Sequence, residues 1–149
     1  MNGEKAICDA LCHILGNTCR ISRTTRSYEW NVSGKGAELA RQCFHEHSVE
    51  QEVSVVPIAH HIIGLGGSPI FDYSDGVVEV DPPSKDELPS LPEMINRLSL
   101  GHTQANRSIR AAVDIAQQHN FTTTVVLLAA QSEMHRLQRH RLSLLRGET

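Results

Sequence analysis

The chain reads as an all-α protein, a four-helix bundle with one long crossover between its second and third helices. Three observations predict this. Four long segments carry apolar residues at alternating three- and four-residue spacing, with stop signals between them. The links after the first and third segments are only a few residues long, so each joins an antiparallel hairpin. The link from Ser68 to Pro89 is long and holds Pro69, Pro82, Pro83 and Pro89, which favours extended chain.

The first segment runs from about Glu4 to Tyr28 or Trp30, with Ile7, Leu11, Ile14, Thr18, Ile21, Thr25 and Tyr28 on one stripe. Asn31-Val32-Ser33-Gly34 ends it, because Asn and Gly accept the turn conformations of a helix stop. The second runs from about Gly36 to Gly64. Its stripe is Phe44, Ser48, Gln51, Val55, Ile58, Ile62 and Leu65, and Gly64, Gly66, Gly67 and Pro69 close it. Pro57 lies inside, where it removes a backbone donor and should kink or loosen the helix.

The third segment runs from about Ser90 to Gln118, with Ile95, Leu98, His102, Ala105, Ile109, Ala112 and Ala116 on its stripe. The fourth runs from Thr122 or Thr123 to about Leu145, and either Thr is a candidate N-cap. Leu127, Ala130, Met134, Leu137 and Leu144 give its stripe. Only residues 77–80 alternate as a short strand would.

Lengths settle how the hairpins join. A helix of about 27 residues is roughly 40 Å long. An extended link of about 20 residues reaches roughly 65 Å, so it can run the length of the bundle. The third helix then starts at the same end as the second, which gives a one-crossover bundle. A plain up-down-up-down bundle with a loose loop is the alternative.

At 149 residues the chain is expected to form one domain, residues 1–149, with a core that needs no staples. Hydrophobic residues make up 40% and charged residues 21%, which excludes bulk disorder. Aromatics are only 4%, too few for a base-stacking platform. The net charge of −3 excludes a polycation that coats nucleic acid. No apolar run is long enough to span a bilayer. Lys5, Asp9 and His13 break the N-terminal stretch, so it does not read as a signal peptide.

Cys8, Cys12, Cys19 and Cys43 show neither CxxC spacing nor a zinc-ribbon pattern. They read as small hydrophobes in a reducing compartment, and a cytoplasmic protein is expected. The sequons at Asn31, Asn106 and Asn120 read as chance matches. Gly64-Leu65-Gly66-Gly67 lacks the Lys of a phosphate loop, no GxSxG elbow occurs, and His60-His61 lacks the Glu of HExxH. Nine histidines remain to be explained.

Two motifs carry a resemblance. Tyr28-Glu29-Trp30-Asn31-Val32-Ser33-Gly34 is similar to the end of the first helix in the Dps family, the starvation-induced mini-ferritins. Ile58-Ala59-His60-His61-Ile62-Ile63-Gly64-Leu65-Gly66-Gly67-Ser68-Pro69 resembles that family's second-helix ending. The spacing between them matches without a gap. The likeness covers about residues 11–69 in motif and the whole chain in architecture. It implies a ferritin-like fold, a twelve-subunit cage, iron oxidation between two-fold-related subunits, mineral storage and protection against oxidative stress. Some members bind DNA.

The resemblance also locates the oxidation site, and the residues there depart from the family. Glu29 stands where the family has the His before the Trp. Arg41 stands at the second-helix His, and His45 at the Asp one turn on. Val56 and His60 stand at the Asp and Glu of the second-helix signature. Arg41 and Val56 cannot ligate a metal, whereas Glu29, His45 and His60 can. His45 and His60 are fifteen residues apart, roughly 22 Å along a helix, so one ion cannot hold both from one chain. Glu29 and His45 of one subunit would meet His60 of the next, with Trp30 packed beside them. So histidine-rich a set suits zinc, copper or nickel as well as the iron that the resemblance implies. Any ferroxidase activity would be weak or altered.

Two other places carry candidates. His102 and His135 share apolar stripes of the third and fourth helices, and His60 or His61 could join them inside the bundle. The alternative is that they are satisfied core residues. At the far end, Arg136, Arg139, His140, Arg141 and Arg146 make a basic run that could meet DNA phosphates, or simply form a solvated helix face. The expected function is therefore a Dps-like, metal-sequestering cage subunit. The alternatives are an assembly protein with no metal chemistry, and a metal protein using the internal histidines.

Overall fold

The computed structural model describes residues 2–71 and 87–147. It holds four helices: α1 (Asn2–Asn31), α2 (Ala37–Gly64), α3 (Leu91–Gln118) and α4 (Thr122–Gly147). No strand occurs among the described residues; the stretch 77–80, Pro82 and Pro83 lie outside them.

Two apolar clusters fix the topology. One gathers Tyr28 and Val32 from the end of α1, Ala40 and Phe44 from the start of α2, Met94 and Ile95 from the start of α3, and Leu142 and Leu145 from the end of α4. The other gathers Ile7 and Leu11, Ile58 and Ile62, Ile109 and Ala116, and Leu128 from the opposite ends. The helices α2 and α3 therefore begin at the same end and run parallel, and α1 packs against α3 while α2 packs against α4. Between Gly64 and Leu91 the chain must return along the whole bundle. This is the crossover that the link length predicts, and it corrects the up-down-up-down alternative, which would place α2 and α3 antiparallel.

The ends follow from local chemistry. Ser90 caps α3, its Oγ accepting the Glu93 N–H at 3.4 Å, in the S-x-x-E pattern that satisfies a free first-turn donor. At the end of α2, Gly66 has φ 86°. There the Gly67 N–H bonds the Ile62 carbonyl and the Gly66 N–H the Ile63 carbonyl, each at 2.9 Å. This closure needs a left-handed residue, which Gly supplies without strain. Asn120, at φ 61°, plays the same part after α3.

The predicted stripes of α1 and α3 are buried throughout, and that of α2 is buried except for the half-covered Val55 and Leu65. The predicted stripe of α4 needs correction. Leu137 and Leu144 are exposed, and the buried face is Thr124, Leu128, Gln131, Met134, His135, Gln138, Leu142 and Leu145. The inward face turns toward polar residues that a hydrophobicity pattern skips. Pro57 is exposed and α2 runs through it unbroken. One residue after the carbonyl that Pro57 cannot serve, Gln131 donates to the Ser54 carbonyl at 3.0 Å.

A polar layer lies between the two clusters. Gln51 donates to Gln138 at 2.8 Å, Gln138 donates to Glu50 at 3.0 Å, and Asn17 donates to Ser108 at 3.3 Å. His102 and His135 stand in the same layer, fully buried.

Candidate functional site

The antiparallel α1–α2 hairpin brings Glu29 and His45 together. Glu29 Oε2 lies 3.1 Å from His45 Nδ1. The carboxylate is mostly covered and the imidazole exposed. Glu29 Oε1 is buried and has no hydrogen-bond partner among the described residues. A carboxylate oxygen left in this way costs desolvation energy unless something outside the subunit engages it. Oxygen and imidazole at one point are donors for a divalent cation.

Neighbouring groups are already engaged. Arg26 pairs with Glu52 at 2.8 Å and reaches Ser48 Oγ. Arg41 donates to the Val32 carbonyl at 2.9 Å, just past the end of α1, and lies 3.6 Å from Glu38. It therefore ties the α1–α2 turn where the family resemblance expects a ligand. Val56 and His60 are exposed on α2, far along the helix from His45. Within one chain the structure joins Glu29 to His45 and leaves His60 apart. Trp30 is 67% exposed, so the described residues leave most of it uncovered. Among the described residues no group of three His, Cys, Asp or Glu side chains is arranged to hold a metal.

One face of α2 is apolar yet uncovered. Val49, Val53, Val56 and Ile63 are exposed and follow a four-three spacing with His60 between the last two. Such a stripe on a helix marks a surface that another helix covers.

In the core, His102 Nδ1 and His135 Nδ1 are 2.8 Å apart and the rings are tilted by 52°. Neither Nε2 has a partner among the described residues. Burial pushes His135 down to about 4 and His102 well below the ordinary imidazole range, with His135 and then His47 adding repulsion at His102. His47, which the sequence reading passes over, is also buried; burial first, then Arg141, lowers it to about 4. Its Nε2 lies 3.8 Å from Cys43 Sγ. Its signal in the sequence is its place beside Phe44, Ser48 and Gln51 on the inner stripe. All three rings are neutral near pH 7, but among the described residues they do not belong to a group of three or more His, Cys, Asp or Glu side chains that could hold a metal. The other sequence candidates stand elsewhere: His61 bonds Thr124 Oγ1 at 2.7 Å, and His60 faces out.

The basic run of α4 splits. Arg141 turns toward α2 and lies 3.9 Å from Glu46. Arg136, Arg139, His140 and Arg146 line a cavity against α3.

A family model of the ferritin-like domain matches residues 8–147. Among solved structures, DpsC from Streptomyces coelicolor superposes with a TM-score of 0.85 at 22% identity, over 96% of this chain and 84% of that one. A Dps protein from Vibrio cholerae O1, described as a member of a broad superfamily of ferritin-like diiron-carboxylate proteins, superposes with a TM-score of 0.83 at 18% identity, over 98% and 90%. A dodecameric thioferritin from Bacteroides fragilis gives 0.86 at 17% identity, over 97% and 86%. At such identities the likeness is one of fold. No curated protein matches the chain.

Proposed function

Because the chain belongs to the ferritin-like family, we propose that it is a Dps-type cage subunit that binds and sequesters iron, or another transition metal, at a site shared between subunits. The observation that carries this reading is Glu29: one oxygen on His45, the other buried and without a partner among the described residues. A metal ion held by Glu29 and His45, and completed by His60 of a two-fold-related copy, would engage that oxygen. The uncovered α2 stripe and Trp30 supply the apolar surface on which such a copy packs. A dodecamer is the assembly proposed, as in the thioferritin whose fold it shares.

Iron is cargo here. With one carboxylate and two imidazoles the site is poor in the hard oxygen ligands that favour ferric iron, so ferrous oxidation is weak or altered. Its role is to keep reactive metal out of solution and so protect against oxidative stress. The four unpaired cysteines fit a reducing, cytoplasmic setting. No helix among the described residues is long and apolar enough to cross a membrane.

A second reading, a cage protein without metal chemistry, is favoured by Arg41, which serves the helix turn rather than a metal. Anomalous scattering at the metal edges, on protein purified without chelators, separates the two. Density between Glu29 and the partner's side of the interface supports the first. A metal-free dodecamer that does not speed ferrous oxidation leaves the second. Density between His102 and His135 would instead place the metal inside the bundle.

A further inference from the structure

We propose that Cys8 and Cys12 form a two-thiolate site for a soft monovalent cation, copper(I). The two residues stand one turn apart on α1, so their Cβ atoms are about 5–6 Å apart on one face. Both side chains turn toward consecutive residues of the turn that closes α2. Cys12 Sγ donates to the Ser68 carbonyl at 3.5 Å. Cys8 Sγ faces the Gly67 N–H, and a Cβ at Gly67 would come within 2.8 Å of that sulfur, so only glycine leaves the thiol its place. Both thiols are half-buried and line a cavity of about 310 Å³ with Glu4, Lys5 and Asp9. Two carboxylates against one ammonium favour a cation there.

The spacing selects the chemistry. A disulfide needs Cβ atoms about 3.5–4.5 Å apart, so this pair cannot close one without distorting the helix. Taking the roughly 2.3 Å of a zinc–thiolate bond as the scale, a linear S–metal–S unit spans about 4.6 Å, which two such side chains can reach. Zinc asks for four ligands, and among the described residues no group of three His, Cys, Asp or Glu side chains is arranged to hold a metal. Two thiolates suffice for copper(I), the soft ion that sulfur ligands select. Burial first, and Cys12 second, raise the Cys8 thiol above its ordinary range. The bound cation reverses this, and each thiol gives up its proton as the metal–sulfur bond forms. The site lies at the opposite end of the bundle from Glu29 and His45, so it is independent of the site shared between subunits.

Anaerobic titration of the reduced full-length protein with copper(I) held by a bicinchoninate chelator tests it. One copper per subunit should leave the chelator for the protein. X-ray absorption at the copper edge, on the unaltered protein, should show two sulfur neighbours and no nitrogen. Cys8→Ser and Cys12→Ser should each weaken binding at least about a hundredfold, since a direct ligand outweighs the roughly 10- to 100-fold of an outer-shell partner. Cys19→Ser should leave the affinity unchanged, because Cys19 lies seven residues beyond Cys12, about 10 Å of helix. Circular dichroism and native mass confirm that each variant keeps the parent fold. Copper that stays with the chelator, nitrogen in its coordination, unaltered affinity in Cys8→Ser or Cys12→Ser, or an equal loss in Cys19→Ser would each overturn the proposal.

Discussion

His102 and His135 meet Nδ1 to Nδ1 at 2.8 Å across the α3–α4 pairing, with both rings out of water. One nitrogen must donate and the other accept, so the two rings hold opposite tautomers. Their second nitrogens have no partner among the described residues. The pair is thus a polar joint in the middle of the bundle, sound while neutral and exposed to acid.

Acid should therefore loosen the fold. In the unfolded chain these imidazoles take up a proton near pH 6.5. In the fold, His135 and His47 do so only near pH 4, and His102 lies well below the ordinary range. Between those limits the unfolded state binds more protons, so stability falls as pH falls. It is whole above about pH 6.5 and shrinks toward pH 4, by roughly 2–3 kcal/mol for each ring so shifted. Thermal melts at pH 7.5, 6 and 5 should show a declining Tm. A Tm that holds level over that range would mean the rings are hydrated.

Removing one ring should cost more than removing both. His135→Ala leaves a cavity and strands His102, a loss of about 3 kcal/mol. The double substitution His102→Leu with His135→Leu removes both polar groups and fills the space, so it should lie within about 1 kcal/mol of the parent at pH 7. It should also flatten the acid dependence. Denaturant midpoints across this set decide the matter, and a double variant as weak as His135→Ala would show that the pair contributes more than mutual satisfaction.

The same joint explains what the sequence reveals and what it hides. Helices α1 and α3 are legible because residues such as Ile7, Leu11, Ile95 and Ile109 keep the helical period on one face. The crossover is legible because a link from Ser68 to Pro89 can span the bundle. On α4 the inner face carries Gln131, His135 and Gln138, so Leu137 and Leu144 on the outer face give a rival apolar stripe. His47 is hidden for the same reason: its worth comes from residues brought to it by other helices. The Glu29–His45 pair is half legible, since chain spacing shows that His60 cannot reach His45 but not what stands opposite either.

The α2 stripe should carry assembly. Val53→Glu puts a charge in the middle of Val49, Val56 and Ile63 and would be buried unpaired by any second helix laid on that face. Native mass should show loss of the full oligomer to smaller species, while circular dichroism of the subunit stays unchanged because Val53 is exposed within it. An intact oligomer would place the interface elsewhere.

Restoring ligands at the two departed positions should strengthen metal handling. Arg41→His gives up a guanidinium bond to the Val32 carbonyl, a loss of about 1 kcal/mol. It places an imidazole one helical turn from His45, the ring already joined to Glu29. Val56→Asp adds an oxygen ligand one turn from His60. The double variant should oxidise ferrous iron several-fold faster than the parent at equal subunit concentration. A rate no higher than the parent's would mean that this face does not form the metal site.

Loss of ligands should act in the opposite direction and be selective. Glu29→Ala removes the oxygen that has no partner among the described residues, and His60→Ala removes the imidazole that only a neighbouring copy can bring to it. Since each contributes from a different subunit, either substitution should empty the same site, and the double variant should bind no less metal than the weaker single one. The subunit fold should survive, because neither side chain belongs to the apolar clusters of its core. Metal content per subunit, read by elemental analysis beside native mass, checks this. Unchanged stoichiometry in the double variant would remove the site shared between subunits and leave the buried His102–His135 pair as the remaining candidate.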